Sequence, residues 1–186
     1  MKKRLLALPL IALIALTGCT TGKQVGIGDS LNVDVKSPTV STDGVLEMTV
    51  AEVERRNLAD VPELDFGADY TGGTLFLTQI TATLSEGTYE EKDLYTLGPK
   101  QWQAEGSEPL ATVESGFRAS IDDVDGCEIL TDELTLELSA GKPIQFCQMF
   151  VAPGSGAELS EVVFDKPMIS RRGADKGWRW TVAERD

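Results

Sequence analysis

The chain has 186 residues, a formal charge of −13 and no histidine. The missing imidazole excludes Ser-His-Asp and Cys-His nucleophile systems and every His-ligated metal centre, and the acidic balance excludes a general nucleic-acid binder, which needs a basic face. A hydrophobic fraction of 41% belongs to a folded protein, and the length fits one medium domain.

The chain opens with Lys2-Lys3-Arg4, followed by an apolar run from Leu5 to Leu16. That run is shorter than the roughly 20 residues that span a bilayer, and a basic start before an apolar core is the plan of an export signal. Leu16-Thr17-Gly18-Cys19 resembles the bacterial lipobox. The resemblance implies cleavage before Cys19, a diacylglyceryl group on its sulfur, and an extracytoplasmic chain on the outer face of the cytoplasmic membrane. Residues 1–18 are then a lipoprotein signal peptide. Three cations leave with them, so the charge deepens from −13 to −16. Thr20 to Asp29 has little to bury, and residues 19–29 read as a flexible tether that includes Gly26-Ile27-Gly28. Residues 30–186 form the domain.

Period-two alternation then predicts strands. Leu31–Val35, Val45–Val53 and Thr74–Leu84 come first; the opening of the third, Leu75-Phe76-Leu77, is apolar on both faces. Leu130–Leu138 alternates with Leu134, Leu136 and Leu138 inward. Pro143–Val151 places Ile144, Phe146, Gln148 and Phe150 on one face and Cys147, Met149 and Val151 on the other. Glu161–Asp165 and Gly177–Val182 complete the set. Turn pairs such as Asp43-Gly44 and Ala140-Gly141 separate the runs. Short strands with turns between them predict an all-β antiparallel sandwich, with the excess length in polar stretches at Arg55–Ala68 and Glu86–Ile121.

With Cys19 assigned to lipid, Cys127 and Cys147 remain. An even pair in an exported chain predicts a disulfide, the alternative being two buried thiols. The turn at Ser139–Pro143 makes Leu130–Leu138 and Pro143–Val151 a candidate hairpin, with the bridge near its far end.

In order along the chain, the Leu75–Leu84 strand, Asp93-Leu94-Tyr95-Thr96-Leu97, the Gly141-Lys142-Pro143 turn into Phe146–Pro153, and Val162-Val163-Phe164 resemble the immunoglobulin-like extracellular domains of Gram-positive lipoproteins, a family related to secreted immunogenic proteins of mycobacteria. The resemblance covers about residues 30–182 and implies an immunoglobulin-like sandwich. It implies no catalytic residues.

Other motifs are weaker. Asp122-Asp123-Val124-Asp125-Gly126 lacks the Glu that closes a calcium loop, so it reads as a solvated acidic loop with no metal. Asp60, Glu63, Asp65 and Asp69 supply the carboxylates a glycosidase would need, but a polar loop accounts for them. Gly154-Ser155-Gly156 is not a nucleophile elbow, and no motif ties Lys142 or Lys166 to Ser155. Trp178 and Trp180 share one strand face: core residues, or, if exposed, a platform for a sugar or a protein. Arg171-Arg172 reads as a solvated turn. The expectation is a membrane-anchored, non-catalytic binding or structural module with no cofactor, directed to a protein or cell-envelope component. The rivals are an accessory subunit of a transport or secretion complex and a carboxylate-dependent glycan hydrolase.

Overall fold

The computed structural model describes residues 24–37, 39–61, 64, 66–114, 124–165 and 177–182. Two sheets face each other. One holds five strands in the order β2 (Ser30–Lys36), β3 (Asp43–Asn57), β4 (Thr74–Thr88), β7 (Ile144–Ala152), β6 (Ala111–Thr112). The other holds β1 (Gln24–Gly26), β9 (Trp178–Thr181), β8 (Leu159–Phe164), β5 (Trp102–Gly106). Every pairing is antiparallel except β1 with β9. The chain is a β-sandwich with one disulfide, Cys127–Cys147.

The frame is the long β3–β4 hairpin, paired from Asp43 opposite Thr88 to Asn57 opposite Thr74. Its alternation decides which side faces the second sheet. Val33, Leu46, Met48, Val50, Phe76, Ile80, Phe146 and Phe150 point inward and meet Trp102, Val162, Phe164 and Trp180. The doubly apolar start of β4 has a separate reason. Leu75 and Leu77, with Met149 and Val151 of β7, point to the outer face of the five-stranded sheet and form a second core. Its cover is Leu58, Val61 and Leu64, Val113, and Val124 with Cys127. Part of the stretch expected to be polar and irregular thus extends β3 through Arg55–Asn57 and then roofs this second core.

Two expectations are corrected. Leu130–Leu138 is not a strand. Asp132–Ser139 is the α-helix α1, and with it the expected hairpin to β7 disappears. The Thr131 hydroxyl caps the Leu134 amide at 3.3 Å, and Asp132 and Glu133 sit on the positive end of the helix dipole. At the other end Gly141 takes φ 75°, and Gly141 N–H and Lys142 N–H return to Leu138 and Glu137 carbonyls, a Schellman stop. Leu130, Leu134 and Leu138 fit a helix stripe as well as an alternation; the caps decide between them. The second correction concerns the tether. Gln24–Gly26 is strand β1, with Gln24 opposite Arg179, and the Gln24 amide donates to Glu161 at 2.9 Å and Thr181 at 2.8 Å.

Candidate functional site

The disulfide fastens the loop before α1 to β7. Cys127 closes a turn on Val124, and the Cys147 amide donates to the Glu128 carbonyl at 2.6 Å. Cys147 lies on the outer face of its sheet, so the bond locks the roof of the second core rather than linking the two sheets. Closing a 20-residue separation should contribute about 3 kcal/mol. Reduction should therefore lower the melting temperature by roughly 10 °C in a calorimetric scan; an unchanged value would refute this role.

Trp178 and Trp180 form no exposed platform: both are buried. Each indole N–H is bonded, Trp178 to the Asn32 carbonyl of β2 and Trp180 to the Asp29 carbonyl just before that strand, both at 3.1 Å. Trp178 packs at a tilt against Phe164, and Trp180 against Trp102, each pair with ring centroids 6.1 Å apart. Between them on the strand, Arg179 faces the other way and pairs with Glu161 and Glu105, whose hydrogen bonds push its guanidinium pKa up.

The residues quoted from Asp93 to Leu97 build a rigid turn. The buried Asp93 carboxylate accepts from the Thr42 hydroxyl at 2.7 Å, the Thr96 hydroxyl at 2.6 Å and the Thr96 amide at 3.1 Å. Its carbonyl takes the Tyr89 phenol at 2.6 Å. Burial, and then the negative charge of Asp93, push that phenol pKa up, so Tyr89 stays a neutral donor. Lys92 precedes the turn in the left-handed region at φ 65°, a conformation that costs a residue with Cβ about 1 kcal/mol. Its amide is held by the Thr135 hydroxyl of α1 at 3.0 Å. The result is that Leu94 and Tyr95 are turned outward while Leu97 enters the core.

Beside this turn lies a cleft of about 300 Å³. The exposed Leu94 and Tyr95 stand on its rim, and Val113, Ile129, Leu130 and the Phe146–Met149 stretch of β7 line it further. The one amide there, on Gln148, is tied to the Met149 carbonyl at 3.1 Å. Such a surface offers burial to an apolar group. Opposite Gln148 on β4 stands Thr78, whose buried hydroxyl has no partner among the described residues.

The sequence candidates do not converge on this cleft. Asp60 and Asp69 are exposed on the segment after β3, and Glu63 and Asp65 lie outside the described residues. Asp125 borders an open polar hollow beside the disulfide, with Glu128, Gln79 and Gln145; Asp122 and Asp123 lie outside the described residues, as do Cys19, Lys166 and Arg171-Arg172. Ser155 follows the end of β7 while Lys142 precedes its start, roughly 30 Å apart along the strand, which rules out that pair as a dyad. Among the described residues no three Asp, Glu or Cys side chains gather into a metal site, and no helix is long and apolar enough to cross a membrane. No family model, curated protein or solved structure matches the chain.

The cleft escapes sequence reading because its walls come from four separate segments. The available signal was Leu94-Tyr95 in an otherwise polar stretch, locked by an Asp-x-x-Thr turn.

Proposed function

We propose that the chain is a bacterial lipoprotein, held by a diacylglyceryl group on Cys19 at the outer face of the cytoplasmic membrane, whose sandwich is a non-catalytic binding or structural module for a protein or cell-envelope component. The observation that carries the binding role is the apolar cleft with Leu94 and Tyr95 on its rim: it recognises by burial. The lipobox-like Leu16-Thr17-Gly18-Cys19 supports the anchor, since two acyl chains on one residue give durable attachment where one gives only marginal binding. The two-sheet architecture is compatible with the resemblance to immunoglobulin-like lipoprotein domains.

Cys19→Ala should move the protein from the membrane pellet to the soluble fraction of fractionated cells. Retention in the pellet at the level of the unchanged protein would overturn the anchor.

A further inference from the structure

We infer that the end of the sandwich carrying Val40, Leu94, Tyr95 and Leu136 rests on the phospholipid bilayer that holds Cys19. This names the cell-envelope component met by the apolar end, and it depends on the lipid anchor proposed above.

The first support is where apolar surface is left bare. Among the described residues four large apolar side chains are exposed: Val40 at 41%, Leu94 at 39%, Tyr95 at 49% and Leu136 at 48%. They sit in different segments yet at one end of the fold. Val40 lies in the turn between β2 and β3, and the neighbouring Thr42 bonds Asp93, which precedes Leu94 and Tyr95. The helix α1, which carries Leu136, bonds the same loop through Thr135 and Lys92. The four described lysines, Lys36, Lys92, Lys100 and Lys142, stand at this end too, whereas Arg55 and Arg56 stand at the far end of β3. Apolar side chains that share an end with long amines suit the boundary between acyl chains and headgroups.

The second support is the reach of the anchor. Strand β1 runs parallel to β9, so its first residue, Gln24, lies toward the end where β9 begins. The Trp178 bond to Asn32 fixes that level against the other sheet. From Asn32, β2 continues to Lys36, about 13 Å further, before the turn that carries Val40. Cys19 is five residue steps from Gln24, at most about 18 Å when fully extended. The lipid can reach about as far as the turn and little beyond it. So short a leash keeps this end within reach of the surface.

Asp43, Glu86, Glu90, Glu91, Asp132, Glu133 and Glu137 share the end and oppose an anionic surface, although Lys36 pairs Asp43 and Lys142 pairs Glu137. The anchor offsets this by holding the apolar side chains at high effective concentration against the lipid.

The test uses the full lipidated protein reconstituted into phosphatidylcholine vesicles that contain a phosphatidylcholine with a diazirine in its upper acyl chain. After photolysis, lipid adducts are mapped by peptide mass spectrometry. The peptides bearing Leu94-Tyr95 and Leu136 should carry severalfold more adduct than the one spanning 52–58. Leu94→Ser combined with Tyr95→Ser, both exposed, should lower the adduct at Leu136 severalfold and leave that near Cys19 unchanged. Adducts confined to the peptide near Cys19 would leave the anchor standing and overturn the docking. Adducts gathered on the β1–β9 edge, or protein–protein links between two copies through Leu94 and Tyr95, would overturn it as well. A Cys19 peptide without the diacylglyceryl mass would remove the anchor, and this inference with it.

Discussion

Trp180→Ala should lower the free energy of unfolding by about 4 kcal/mol. The ring is fully buried between the sheets and lies 6.1 Å from Trp102 between centroids. Truncation leaves a cavity that two facing sheets cannot close without breaking their own ladders. It also removes the indole N–H bond to the Asp29 carbonyl. Trp180→Phe should cost about half as much, because the apolar ring remains and the donor is lost. Urea unfolding of the two variants checks this. A loss below about 1 kcal/mol for the alanine variant would mean that the ring is not a shared core element.

Asp93→Ala should cost about 3 kcal/mol. It removes one carboxylate and leaves three buried donors, the Thr42 and Thr96 hydroxyls and the Thr96 amide, without their acceptor. Hydrogen bonds to a charged group are worth more than neutral ones, and the residual donors carry the penalty. Asp93→Asn should cost less, since the amide oxygen still accepts and the hydroxyls can turn to accept from the new N–H groups. Denaturant titration gives the magnitudes, and amide exchange should show the loss spread over residues 39–42 and 89–97, the two segments that Asp93 joins. Loosening limited to one of them would show that the carboxylate does not couple the turns.

Much of the sandwich was legible because its strands alternate cleanly. The two faces of β7 separate as expected, with Phe146 and Phe150 in the main core and Cys147, Met149 and Val151 in the outer one. Leu75-Phe76-Leu77 reads correctly as a segment buried on both sides. The disulfide follows from the even pair of cysteines left once Cys19 is read as the lipid site. The misreadings have physical causes. Between Leu130 and Leu138, leucines four apart also contain leucines two apart, so periodicity cannot separate helix from strand. Only the Thr131 cap and the Gly141 stop do so. Gln24–Gly26 has no strand pattern of its own; it is ordered by the free edge of β9. Trp178 and Trp180 alternate correctly, yet whether an alternating face is covered depends on the other sheet, which no local pattern reports. The roof over Leu75 and Leu77 was hidden for a similar reason: Leu58, Val61 and Leu64 are spaced by three among polar residues and match neither strand nor long helix.

The two indoles also have a consequence for crowding. Strand β2 is the outermost strand of its sheet, and such a margin normally offers its peptide groups to a neighbouring molecule. Here the Asn32 carbonyl is already occupied by Trp178, the adjoining Asp29 carbonyl by Trp180, and Asn32, Asp34 and Lys36 present polar or charged side chains to solvent. A neighbouring copy meeting this margin therefore finds fewer open peptide groups and a row of polar side chains, a poorer template for strand addition.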